Sequence, residues 1–204
     1  MTETLPLFPL NLVLFPGARL PLRIFESRYI DMVRECMRNQ TGFGVVWRMD
    51  TTSESGHGHA LVGTEATIED FSMLEDGLLG IECRGQRRFR IQATRARDNG
   101  LLIGEVEWLK DQPAAAISAH HAALQSLMRE IQQHQELAGQ IDADADDAIS
   151  LGLGLASVLP IDRPRAQNLL EMTHPEQRLD AIMAIVEHNL QSEDGEGGRS
   201  EGSA

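Results

Sequence analysis

Four prolines within a run of apolar residues constrain the first part of this chain most strongly. The run extends from Leu5 to Val33 and reads LPLFPLNLVLFPGARLPLRIFESRYIDMV. Because proline lacks a backbone donor and fixes φ, the run cannot form one long helix or a central strand throughout. We therefore predict extended pieces at Leu12–Leu14 and Leu20–Ile24, with a turn at Pro16-Gly17. Beyond them, apolar residues recur every three or four positions, which predicts a helix ending near Arg38-Asn39.

The next part of the chain has the pattern of a small β domain. Short apolar or alternating runs are separated by turn residues, Glu75-Asp76-Gly77 and Asp98-Asn99-Gly100 among them, and a tight turn is predicted at Gly85-Gln86. The predicted strands are Phe43–Trp47, Leu61–Phe71, Leu78–Arg84, Arg87–Arg97 and Leu101–Leu109. Strands at this spacing indicate an antiparallel sheet that curls into a small barrel.

The pattern becomes helical after Asp111-Gln112-Pro113. Apolar residues then recur at helical spacing, and we predict helices at Ile149–Leu159, Arg163–Met172, capped by Asp162, and Glu176–Leu190. The end of the chain has almost no apolar residue and many Gly, Ser and Glu. The sequence therefore predicts an α+β protein with a β domain at 1–110, a hinge, a C-terminal helical bundle at 111–190 and a disordered acidic tail at 191–204.

The pattern LPLFPLN-VLFPG---PLRIFE-RY resembles the N-terminal, substrate-binding domain of the Lon protease family. Two later segments agree with that family: Val62–Ala66 with Leu78–Ile91, and Leu159–Leu190. The resemblance is closest to the free-standing form of the domain, and it implies a PUA-like barrel. It also implies a module that binds unfolded or extended polypeptides, and it places Glu26, Ser27 and Arg28 beside the binding cleft.

No sequence motif for catalysis is found. Lys110 is the single lysine and Asp111 follows it, so neither a P-loop nor a Ser/Lys dyad is present and we predict no enzymatic activity. No catalytic residue, metal or cofactor is predicted, because Cys36 and Cys83 are far apart and the pair His57 and His59 lacks a third nearby ligand. The chain lacks a signal peptide and any run long enough to span a membrane, so we expect a cytoplasmic protein.

Two further interpretations remain open. Arginines on the predicted strands, Arg88 and Arg90 above all, form the only basic concentration and could bind RNA, although a net charge of −13 disfavours nucleic acid as a partner. Trp108 lies beside the hinge, where it could line a peptide groove between the two parts. The other interpretation is an adaptor that delivers one specific protein to a separate protease. The expected partners thus include a protease or a chaperone besides extended polypeptides. The sequence does not determine the oligomeric state.

Overall fold

A computed structural model describes residues 3–49, 58–113, 116–134 and 139–196, with the backbone alone described for 190–196. These residues form an α+β fold, as predicted. The elements in chain order are β1 Glu3–Leu10, β2 Arg19–Ile24, α1 Ser27–Asn39, β3 Phe43–Trp47, β4 Val62–Met73, β5 Leu79–Ala96, β6 Leu102–Trp108, α2 Ala122–Gln133, α3 Ala148–Val158, α4 Arg163–Glu171 and α5 Pro175–Glu196. A short 3-10 helix, Ala119–His121, leads into α2.

Five of the six strands close into a ring. The strand order is β2-β5-β4-β3-β1-β6, and β6 also pairs with β5, so β2 alone stands outside the ring. The expectation of a wholly antiparallel sheet is wrong, because β1 pairs with β3 in parallel, with Leu7 opposite Gly44. The chain passes through β2 and α1 between these two strands, and a crossover of this length allows it to re-enter the sheet in the same direction.

The strand β5 is continuous over 18 residues, so the turn predicted at Gly85-Gln86 is wrong. Gly85 serves a different purpose, because a Cβ atom there would lie 2.2 Å from the carbonyl oxygen of Phe15. Its N–H donates to the carbonyl oxygen of Ala18 at 2.9 Å. Glycine therefore lets the loop before β2 approach β5 closely, while β5 runs on past it.

The predicted first helix is confirmed. Helix α1 buries Tyr29, Met32, Val33 and Cys36, which recur at helical spacing on one face, and it ends at Asn39. These side chains pack in a core with residues of β2, β4 and β5. The helix therefore covers one face of the sheet where β2 joins β5.

The helices after β6 pack against the ring through a second core. Phe15 and Val62 contribute to it from the β part, together with many residues of α2–α5. Gly154 lies inside α3 at a point where a Cβ would come within 2.6 Å of the Cβ of Ala143, so the close packing there requires glycine. Asp162 accepts a hydrogen bond from the N–H of Arg165, which confirms the predicted cap of α4. Helix α5 extends to Glu196, and the rest of the predicted tail lies outside the described residues.

A buried ionic cluster holds the junction at Asp111. Its carboxylate accepts hydrogen bonds from Arg88 Nη2 and from Arg178 Nη2, each at 2.6 Å. The side chains of Arg88 and Arg178 are 2% and 0% exposed, and that of Asp111 is 11% exposed. Arg88 also donates to the carbonyl oxygen of Met172 at 2.7 Å, and Arg178 to that of Leu169 at 3.1 Å. Asp111, in the segment expected to act as a hinge, is thus bound to the sheet through Arg88 on β5 and to α5 through Arg178.

Candidate functional site

The strand β2 has one open edge. It pairs with β5 on one side only, from Arg19 to Ile24. On the other side, the N–H of Arg19 donates to the carbonyl oxygen of Gln140 at 3.0 Å, and Ala18 forms a bridge with Ile141. These contacts cover the start of the edge. In the part of the chain that the structure describes, no strand pairs with the remainder, from Leu20 to Ile24.

The backbone groups on that open edge can be identified. The carbonyl of Ala18 points toward β5, since it accepts from Gly85, whereas the N–H of Arg19 points away toward Gln140. Successive residues of a strand alternate in direction, so the backbone groups of Pro21 and Arg23 also point away from β5. Proline has no N–H. The open edge therefore offers the carbonyl of Pro21 and both backbone groups of Arg23.

Two grooves flank this edge and share Leu22 and Arg23. The first, here called the hairpin groove, has a volume of about 670 Å³ and lies over the β4–β5 hairpin, between Pro21, Leu74 and Gly80. The second, the helix groove, has a volume of about 330 Å³ and lies toward the start of α1 and the end of β1. A strand bound along β2 could direct alternate side chains to the two sides of the sheet.

Large apolar side chains are exposed beside both grooves. Phe25 follows β2 directly, lines the helix groove and is 71% exposed, and Phe71 lines the hairpin groove and is 56% exposed. Met73, two residues further along β4, is 75% exposed. Apolar side chains grouped around an open edge are typical of surfaces that bind other polypeptides.

The three residues expected beside a cleft lie at the start of α1, and two of them line the helix groove. These are Glu26 and Arg28, whose side chains form an ion pair at 2.7 Å. Arg28 also donates to the carbonyl oxygen of Gly100 at 3.1 Å, and its guanidinium lies 4.8 Å from the ring centre of Tyr29. Burial raises the pKa of the Tyr29 hydroxyl. Ser27 is exposed and lines neither groove.

Trp108 lies elsewhere. It is half-buried on β6, with the guanidinium of Arg87 3.6 Å above its ring and Phe89 packed edge-on at 6.3 Å. The cavity that it lines is formed by residues of the β part and α1. The structure therefore does not bring Trp108 together with the residues around β2.

The arginine strand does not form a continuous basic surface. Arg88 is 3% exposed and its guanidinium bonds Asp111, so it cannot reach a phosphate group in this fold. Arg90 is half-buried, and it lies opposite Glu107 on β6. Three neighbouring arginines pair with acidic residues on other elements. The pairs are Arg84–Glu69, Arg87–Glu65 and Arg97–Glu35.

The histidines considered as metal ligands are divided. His57 lies outside the described residues, and His59 is buried with Nδ1 2.9 Å from the carbonyl oxygen of Ala60. Within the described ranges, one group of three side chains, His120, His121 and Asp180, is close enough together to hold a metal ion. No helix in the same ranges is long and apolar enough to cross a membrane.

The strand β2 was not predicted to be an edge strand, although a signal for it was present. Pro21 lies in the middle of the strand and is flanked at alternate positions by Arg19 and Arg23. Proline and charged residues are enriched on edge strands, because such strands need no donor on the open side and must avoid indiscriminate pairing. The pattern RLPLR therefore could have assigned β2 to an edge.

The fold is that of a binding domain in which a strand ring carries one extra, half-paired strand and a helical part. A family model described as the ATP-dependent protease La (LON) substrate-binding domain matches residues 4–188, and the chain belongs to this family. The resemblance seen in the sequence is thereby confirmed.

Individual relatives agree. A Lon N-terminal domain protein from Xanthomonas campestris has a similar crystal structure, with a TM-score of 0.75, 38% identity, and coverage of 89% of this chain and 98% of that chain. The Lon protease of Paraburkholderia phytofirmans is 31% identical over 90% of this chain and 24% of its own length. That of Cytophaga hutchinsonii is 28% identical over 93% and 24%. The chain thus spans about a quarter of the curated relatives that it matches.

Proposed function

We propose that this chain binds unfolded or extended polypeptide segments along the open edge of β2 and performs no chemical step on them. One observation carries the proposal: the edge from Leu20 to Ile24 is unpaired among the described residues, lies between two grooves and ends at the exposed Phe25. Membership of a substrate-binding domain family supports it. So does the sequence, in which Lys110 is the single lysine and no P-loop occurs.

The mechanism follows from strand addition. A peptide would donate to the carbonyl of Pro21 and exchange two hydrogen bonds with Arg23, which are backbone contacts and hence independent of the peptide's sequence. Apolar side chains of the peptide would enter the two grooves, where Leu22 is shared and Phe25 forms one rim. Few bonds and shallow grooves favour weak, reversible binding with broad preference for extended apolar segments.

Replacement of the edge residue Arg23 tests the backbone contact. Arg23→Pro removes the outward N–H, whereas the control Arg23→Gln keeps it and removes the same side-chain charge. Loss of one hydrogen bond of about 1.5 kcal/mol predicts roughly tenfold weaker binding for the proline variant only. Anisotropy of a labelled apolar peptide measures this, with thermal unfolding as the check on folding. Equal affinity of the two variants would exclude binding along this edge.

The apolar contact has its own test at Phe25. Because this side chain is 71% exposed, Phe25→Ser should leave stability nearly unchanged and weaken peptide binding several-fold. The matched control is Leu61→Ser, at a residue that is 37% exposed and lines neither groove. If the Leu61 variant lost as much affinity as the Phe25 variant, general surface hydrophobicity would account for the binding.

The wider setting is also part of the proposal. The relatives named Lon protease support a role in protein quality control in the cytoplasm, in which the captured segment passes to a protease or chaperone. Closure of the ring through the β5–β6 pairing supports a PUA-like barrel, and the shared core of α2–α5 supports one helical bundle. A pull-down from cell extract with the Arg23→Pro variant as control would identify the partner.

A further inference from the structure

A cluster of two histidines and one aspartate lies on the helical part, away from β2. His121 ends the 3-10 helix and its side chain is 6% exposed, and its Nε2 lies 2.7 Å from Oδ1 of Asp180 on α5. Its other ring nitrogen, Nδ1, lies 3.1 Å from Oγ of Ser118. The ring of His120 stands beside it, with the two ring centres 5.0 Å apart. One ligand atom from each of His120, His121 and Asp180 lies within 4.8 Å of the others.

We propose that these three side chains form a Zn²⁺ site with water as the fourth ligand. Two imidazoles and a carboxylate are a ligand set that Zn²⁺ binds in proteins, at about 2.0–2.2 Å from each ligand atom. Tetrahedral ligands at that distance lie roughly 3.3–3.6 Å apart. The pair at 2.7 Å must therefore open slightly, and the remaining ligand must close in.

The surroundings allow this adjustment. His120 is exposed and the side chain of Asp180 is 59% exposed, so both can move without repacking the core. His121 is fixed by burial, and Ser118 can accept from its Nδ1–H, which directs Nε2 toward the ion. Metal-bound histidines usually have such an outer partner for the second ring nitrogen. The buried residue thus supplies the fixed ligand and the two exposed residues complete the site.

An ion at this position would join two separate stretches of chain. His120 and His121 lie on the segment that leads from the ring into α2, and Asp180 lies on α5. A ligand that binds only the folded state stabilises it in proportion to occupancy. We therefore assign the site a structural role that fastens the entry of the helical part to α5, independent of peptide binding at β2.

The test is a Zn²⁺ titration of the metal-free chain by calorimetry, followed by Co²⁺ substitution to read the ligand geometry from the visible spectrum. We expect one ion per chain and the strong absorption of four-coordinate Co²⁺. His120→Ala removes an exposed ligand, and Asp180→Asn removes the charge but retains an amide that can bond to His121. Each should weaken binding at least about tenfold, since each removes one of three protein ligands. His134→Ala, at an exposed histidine at the end of α2, is the control and should bind as the parent does.

A second readout separates a structural site from a loose surface contact. At about one hundred times the dissociation constant, Zn²⁺ should raise the unfolding temperature of the parent by roughly 5 °C or more. The rise should vanish in His120→Ala and Asp180→Asn and persist in His134→Ala. Absence of saturable binding, or binding and thermal shifts unchanged in both ligand variants, would overturn the proposal.

Discussion

The carboxylate of Asp111 should be among the most important polar groups for stability. Replacing it with asparagine keeps the shape of the side chain but leaves the guanidiniums of Arg88 and Arg178 buried without a counter-charge. Each arginine attracts the carboxylate by about 4 kcal/mol if the charges are about 4 Å apart and the effective dielectric constant is about 20. Burial already lowers the pKa of Arg88, and the Asp111 carboxylate opposes that effect. The cluster therefore depends on this one acid.

We expect Asp111→Asn to lower the free energy of unfolding by about 3–5 kcal/mol, the cost usually found when a buried ion pair loses one partner. The control is Asp146→Asn. Asp146 also bonds an arginine at 2.6 Å, but that pair is exposed, at 51% and 71%, and should contribute at most about 1 kcal/mol.

Urea unfolding followed by far-UV circular dichroism measures both variants. The parent should unfold in one transition, since the cluster and the shared core join the sheet to the helices. If Asp111→Asn cost no more than the Asp146 control, the buried arginines would be stabilised by the helix carbonyls alone, and the reasoning would be refuted. A parent that unfolded in two transitions would contradict the coupling of the two parts.

Three further predictions concern single positions. Gly85→Ala should destabilise the fold by roughly 1–3 kcal/mol, because the new methyl group would meet the backbone carbonyl of Phe15. The control Gly139→Ala should be nearly neutral, since a Cβ there has nothing within 4 Å. Thermal unfolding compares the two variants. The hydrogen bond from Arg97 holds the pKa of Glu35 below its usual 4.5, so its contribution is present at neutral pH and is lost as pH falls through the folded pKa. In acid titrations monitored by circular dichroism, Glu35→Gln should therefore lose less stability than the parent does. Burial raises the pKa of Cys83 to about 12, so its thiol should resist a thiol reagent in the native protein and react on unfolding. Above the ordinary pKa of 9.0 the thiol ionises in the unfolded chain but not in the folded one, so the free energy of unfolding should fall as pH rises. Fast native-state labelling of Cys83, or a Glu35 variant with the parent's acid profile, would contradict these assignments.

Local features of the chain could be predicted from the sequence because neighbouring residues determine them. The apolar spacing of α1 gave its buried face, and Asp162 gave the cap of α4. Asp-Gly and Asn-Gly favour tight turns, so the turns at Gly77 and Gly100 were predicted from neighbouring residues as well. Both glycines adopt φ of 80° in the structure.

The resemblance places Glu26, Ser27 and Arg28 beside a cleft. Glu26 and Arg28 line the helix groove, and the role of all three residues in peptide binding stays a prediction. The same reasoning overlooked Pro21, Arg23 and the two grooves. A strand lies at the edge of a sheet when no other strand pairs with one of its sides. The residues of that strand alone indicate such a position only weakly, because the missing neighbour would come from elsewhere in the chain.

The sequence by itself determined the family and the approximate positions of several elements, α1, β3 and α4 among them, because these depend on residues a few positions apart. It did not predict β1: the extended piece expected at Leu12–Leu14 lies outside any strand, and the strand runs from Glu3 to Leu10. The tertiary structure alone decided the parallel pairing of β1 with β3 and the continuity of β5 past Gly85. It also decided that Arg88 is buried. The alternation of residues along a strand predicts which face a side chain lies on, but it does not tell whether solvent or a helix covers that face. Asp111 and Arg178 bury the side chain of Arg88 from positions 23 and 90 residues away, and contacts at such separations leave no periodic signal in the chain.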